Sequence, residues 1–164
     1  MTSPNTKKPK IYVETTLFNY YFDKDRDILH TNTVELFKQI AAGKYEAYTS
    51  DVVIKELGKA PEPKRTMMLD LIPEYGLTVL KPNDVAERLA DIYIAEGIIP
   101  PTYRDDSLHI AIATVTGLDI IFSLNFRHIV KGRTIAETGK INLWHGFHAV
   151  ELTPPTGRDE DENS

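Results

Sequence analysis

The 164-residue chain contains no cysteine. Disulfides, thiolate metal ligands and cysteine nucleophiles are excluded together, and the absence fits a reducing compartment. No apolar run reaches membrane-spanning length; even the stretch from Leu108 to Val115 is interrupted by His109. Lys7, Lys8 and Lys10 near the start are not followed by the apolar core of a secretory signal. A soluble, cytoplasmic protein with no membrane contact is expected. Also missing are a Gly-x-x-x-x-Gly-Lys phosphate loop, a Gly-x-Gly-x-x-Gly turn, a Gly-x-Ser-x-Gly elbow and any His-x-x-x-His pair. These absences argue against the nucleotide-binding and serine-hydrolase classes that use such motifs, and against a zinc hydrolase. Positive charge is in deficit: 19 Lys and Arg face 24 Asp and Glu, a net charge of -5. That balance argues against a broad nucleic-acid footprint. Part of the excess, however, lies in the run Asp159-Glu160-Asp161-Glu162, so local basic groups could still hold a polyanion.

What is present is ordinary globular usage, with 41% hydrophobic and 26% charged residues. The length suits one domain with a true core. The polar, proline-bearing ends suggest a flexible segment over 1–9 and a disordered acidic tail over 154–164, flanking a single domain over 10–153. Within that body, short β-rich runs alternate with helical patterns. The fold class expected is α/β: a three-layer α/β/α sandwich around a central, mainly parallel sheet. Strands are expected at 11–14, 45–49, 77–80, 119–122 and 141–144. Helices are expected at 27–43, from an N-cap at Ser50 through Leu57, at 63–71, after a cap at Asn83, and at 103–116. A short helical stretch is expected at 126–130. The helix at 103–116 is apolar nearly all round, which predicts a central, buried element.

Three acids stand where apolar runs end or helices begin: Glu14 after Ile11-Tyr12-Val13, Glu56 in Lys55-Glu56-Leu57, and Asp106 in Asp105-Asp106-Ser107-Leu108. Crowded carboxylates repel one another and lose hydration. If the fold gathers them, a bound divalent cation would let them stay ionised, which points to metal-dependent phosphodiester chemistry. Ligands of open parallel sheets bind beyond the carboxyl ends of the strands, where Glu14 and Asn125 are expected. Each residue also has a plainer reading. Glu14 could cap the next helix, and Glu56 could lie on a solvated face. Thr102 and Asp105 match a capping box, leaving Asp106, about 100° further round the helix, as the better ligand. His109 reads as a buried histidine hydrogen-bonded to a neighbour. Ser123 and Asn125 could position water or phosphate, or simply make a turn. Arg127 and Lys131 belong to the densest basic segment of the body, 127–133, suited to RNA phosphates or to solvent.

Taken together, these residues resemble the PIN-domain family, the metal-dependent ribonuclease fold that includes VapC-type toxins. The resemblance runs through Val13-Glu14-Thr15, Ser50 to Leu57 with Lys55-Glu56, Asp106-Ser107-Leu108-His109-Ile110-Ala111, and Ser123-Leu124-Asn125-Phe126-Arg127-His128. It implies endoribonuclease activity, Mg²⁺ or Mn²⁺ on Glu14, Glu56 and Asp106, and Asn125 as a further catalytic residue. Thr15, Asp105 and Ser123 would steady the ligands or a water molecule. An antitoxin partner and a homodimer are implied as well. Two positions depart from the family pattern: Glu14 and Asn125 stand where aspartates are usual, lengthening one ligand and removing one charge. They motivate an alternative, a PIN-fold module that binds RNA or protein and has lost cleavage.

Overall fold

The first strand, β1 (Lys10–Val13), is buried at Ile11, Tyr12 and Val13 in succession. Neighbouring side chains of a strand face opposite sides, so burial of three in a row requires cover on both faces of the sheet. The computed structural model describes residues 7–156. Beside β1 lie β2 (Glu46–Ser50), β3 (Thr78–Leu80), β4 (Ile120–Phe122) and β5 (Glu151–Thr153). They form one parallel sheet in the order β3-β2-β1-β4-β5. Tyr12 pairs in register with Tyr48 on one side and with Ile121 on the other. The chain winds outward from β1 through β2 to β3, then returns to place β4 on β1's other flank. The carboxyl ends of β1 and β4 therefore border the crevice where the winding direction reverses, the usual ligand position in such sheets.

Seven α-helices complete the α/β fold among the described residues: α1 (Thr15–Tyr20), α2 (Asp27–Ala41), α3 (Asp51–Leu57), α4 (Lys64–Glu74), α5 (Asp84–Ala95), α6 (Arg104–Thr116) and α7 (Gly132–Trp144). Helix α2 buries Thr33, Leu36, Phe37 and Ile40, the helical spacing of its sequence. Ser50 and Asn83 act as N-caps, accepting from Val53 N at 3.4 Å and from Ala86 N at 2.8 Å. Helix α6 is buried continuously from Asp106 to Thr114, and Gly117, with φ +82°, ends it in the left-handed region.

Several local expectations are corrected. Residues 141–144 are the end of α7 and not a strand; the fifth strand is β5. The buried face of α7 consists of Thr134, Thr138, Ile141 and Asn142, so hydrophobic periodicity gives little sign of a helix there. Residues 126–130 form turns, in which Ile129 N and Val130 N donate to Asn125 O, and not a helix. Helix α4 continues through Pro73, expected beyond its end. Helix α1, too short for a periodic signature, starts immediately after Glu14. The Thr102–Asp105 capping box is not formed. Instead α6 follows a 3-10 turn at Pro101–Tyr103 without a side-chain cap, and Asp105 pairs with Lys55 Nζ at 2.9 Å. The flexible segment and acidic tail expected at the ends lie mostly in 1–6 and 157–164, outside the described residues. Among those described, no helix is long and apolar enough to cross a membrane.

Candidate active site

Glu14 leaves the carboxyl end of β1 almost wholly buried, at 2% exposure. Its Oε1 accepts from Thr16 Oγ1 at 2.6 Å, Ser123 Oγ at 2.7 Å and Thr16 N at 3.2 Å. The residue thus caps α1 and faces the end of β4 at once. Thr16 Oγ1 in turn accepts from Leu124 N at 2.8 Å, and Ser123 Oγ from Asn125 N at 2.9 Å, locking the turn after β4 against β1. Glu56, on α3, accepts at Oε1 from Thr15 Oγ1 and from His109 Nε2, each at 2.6 Å. Asp106, in the first turn of α6, accepts at Oδ1 from Asn125 Nδ2 at 3.1 Å and at Oδ2 from His128 Nδ1 at 3.0 Å. The other ring nitrogen of His109 pairs with the Tyr12 hydroxyl at 2.6 Å, and that hydroxyl pairs with Ser50 Oγ at 2.6 Å.

His109 is the basic group at the centre of this constellation. Its full burial opposes protonation, but Glu56, Glu14 and Asp106 together raise its pKa above the ordinary histidine value. Burial likewise pushes Glu56 upward, yet the hydrogen bond and charge of His109 outweigh that and hold the carboxyl below its usual range. The other two acids go the opposite way. Desolvation raises Glu14 despite His109, Ser123 and Thr16, and raises Asp106 despite His109, Asn125 and His128. Glu56 acts on both as a repelling charge. The three carboxylates therefore share one electrostatic environment, in which only Glu56 is fully offset.

Every hydrogen bond to Glu14 falls on Oε1, and so does every one to Glu56. Among the described residues no fully buried side-chain oxygen lacks a partner. The unpartnered Oε2 of Glu14 therefore keeps some accessible surface. Carboxylate oxygens such as those of Glu14, Glu56 and Asp106 are donors of the kind that Mg²⁺ and Mn²⁺ accept. Their closeness is incomplete: among the described residues no three Asp, Glu or His side chains are drawn together tightly enough to hold one metal ion.

Thr15, Ser123 and Asn125 each contact one of the three acids. Asp105 does not; its carboxylate is turned to Lys55. Arg127 is exposed, with its guanidinium carbon 5.4 Å from the Tyr103 ring centroid, and Lys131 is exposed just before α7. Three contributors escaped the sequence reading: Thr16, His128, and His109 as the basic group within the site. The plain reading of His109, buried and bonded to a neighbour, holds. The signal for more was its spacing, three residues beyond Asp106 on one helical face.

No protein-family model matches this chain, and no curated protein sequence does. A structural match is found with a chain of VapBC2 from Rickettsia felis bound to a DNA fragment from their promoter. The TM-score is 0.54 over 87% of this chain and 96% of that one. The fold is PIN-like. At 15% identity the likeness concerns architecture, and within this PIN-like architecture the site's chemistry rests on the side chains just described.

Proposed function

We propose that this PIN-like chain is a metal-dependent endoribonuclease that hydrolyses RNA phosphodiester bonds, and that it is the toxin of a toxin–antitoxin pair. The observation that supports this most is the hydrogen-bonded network that joins Glu14 to Asp106 through Ser123 and Asn125, and Glu56 to Thr15 beside Glu14. These three would hold Mg²⁺ or Mn²⁺, which when bound supplies Lewis acidity toward water and the phosphate oxygens. Thr15, Thr16 and Ser123 fix the glutamates by donating to one oxygen of each, aiming the second oxygen at the ligand. Asn125 holds Asp106, and His128 holds its other oxygen. Arg127 and Lys131 give the RNA backbone local positive charge on an otherwise acidic protein. The antitoxin follows the PIN-family resemblance and the VapBC2 match, the homodimer follows the resemblance alone, and the cytoplasm is the compartment proposed. The test is cleavage of single-stranded RNA with Mn²⁺ by the wild type, Asp106→Asn and Glu14→Gln. Both variants are expected to lose activity about 100-fold or more. Equal rates, or cleavage indifferent to EDTA, would end the proposal.

One observation favours a second reading. Two of the three acids already pair with histidines, and among the described residues no three-ligand cluster is drawn together. A module that binds RNA or a protein without cutting would have such a site. It requires that Mg²⁺ and Mn²⁺ leave the melting temperature unchanged, and that RNA binding survive Glu14→Gln.

A further inference from the structure

An aromatic rim stands directly beside Asp106. Tyr103, three residues earlier and therefore on the same side of the helix entry, is 36% exposed, and Phe126, next to Asn125, is 50% exposed. His128 links this rim to the carboxylate: its ring lies 4.1 Å from that of Tyr103 at an interplanar angle of 39°, while its Nδ1 donates to Asp106. The Arg127 guanidinium lies over Tyr103. Both rings keep exposed surface beside a charged crevice, although His128 and Arg127 already lie against Tyr103. Their backbone positions are set by turns. Tyr103 closes the 3-10 turn begun by Pro101. Phe126 lies in a turn held by Asn125, whose Oδ1 accepts from His128 N at 3.0 Å and whose carbonyl accepts from Ile129 and Val130.

Aromatic faces interleaved with a guanidinium are the chemistry that takes up unpaired bases. Each nucleobase has a π-face, and stacking tolerates any sequence. Arginine adds a cationic plane able to stack or to meet phosphate. A base in an A-form duplex is stacked on its neighbours and unable to lie on such a surface. We propose that Tyr103, Phe126 and Arg127 form a stacking platform for an unpaired base of single-stranded RNA, placed so that the adjoining phosphate meets Asp106. The platform deepens the nuclease reading and rests on it for the identity of the ligand.

The test is equilibrium binding of a short, random-sequence single-stranded RNA pool to the full chain in EDTA, which prevents metal-dependent cleavage. Tyr103→Leu and Phe126→Ala are each expected to weaken binding about fivefold to 100-fold, while Tyr103→Phe binds as the wild type does. Abasic RNA should bind the wild type more weakly and make the Leu and Ala variants indistinguishable from it. Circular dichroism spectra matching the wild type establish that the variants are folded. Wild-type affinity in both ring-removal variants, duplex RNA bound as tightly as single strands, or no binding of the pool would each overturn the platform. Its failure is separable from that of the nuclease reading. Cleavage with Mn²⁺ alongside unaltered binding by Tyr103→Leu and Phe126→Ala removes only the platform. Ring-dependent binding without any cleavage removes only the nuclease.

Discussion

At the scale of single residues, the site is governed by His109. Its imidazole satisfies Glu56 and Tyr12 while fully buried, so deleting it strands a partly buried carboxylate without its counter-charge. His109→Leu is expected to cost about 3–5 kcal/mol, the range for breaking a buried pair from one side, read as a fall in urea midpoint. Stability should also follow pH in a defined sense. A raised histidine stabilises the fold below its unfolded pKa, and that contribution is lost as pH rises through the folded value. A depressed glutamate stabilises above its unfolded pKa, and its contribution is lost as pH falls through the folded value. The pair therefore contributes in full between the unfolded pKa values of glutamate and histidine, and its contribution fades as pH falls toward the lowered Glu56 or rises toward the raised His109. Melting temperatures of wild type minus His109→Gln should differ most in that interval and converge toward both extremes. A flat difference would mean that the pair is uncharged. The positions of Glu14 and Asp106 were legible because strand ends and first helical turns announce themselves locally, whereas Glu56, in the last turn of α3, carries no such mark. The partner of His109 was not legible, because periodicity reports burial and says nothing of what lies 53 residues away at Glu56.

At the scale of elements, caps and stops that were read from sequence should behave independently of the site. Asn83→Ala is expected to cost about 1 kcal/mol by leaving Ala86 N uncapped, with RNA cleavage unchanged. Gly117→Ala, at φ +82°, should cost about 1–2 kcal/mol through left-handed strain. Helix α7 illustrates what sequence patterning conceals. Its inner face is polar because it meets polar partners: the Tyr93 hydroxyl donates to Asn142 Oδ1, Asn142 Nδ2 donates to Thr114 Oγ1 at 3.3 Å, and Thr138 Oγ1 donates to Thr134 O at 2.6 Å. Those matches exist only after α5, α6 and α7 have come together, so a reader of the linear chain sees threonines and an asparagine without a stripe. Asn142→Ala should lower stability by about 1–3 kcal/mol, since it leaves the buried Tyr93 hydroxyl without its acceptor. Retention of wild-type stability would show that solvent replaces the amide.

At the scale of the molecule, the proposed function turns on whether a cation completes the site. Millimolar Mn²⁺ is expected to raise the melting temperature of the wild type and to leave that of Glu14→Gln unmoved, by binding the folded state alone. No shift in the wild type would favour the non-cutting reading. The parallel sheet was foreseeable from alternating β-rich and helical segments, and so was the placement of Glu14 and Asn125 at its carboxyl edge. Strand order was not, since nothing local shows that the chain returns to β1's far side after β3.

One run of side chains, from Ser50 through Tyr12, His109 and Glu56 to Thr15, touches β2, β1, α6, α3 and α1 in turn. No one of those elements can swing away without severing it. Motions that open the crevice are thereby pooled into a single cooperative unit. In deuterated solvent, the amides of these segments should lose their protons together, at the pace of the least frequent excursion the whole sheet makes.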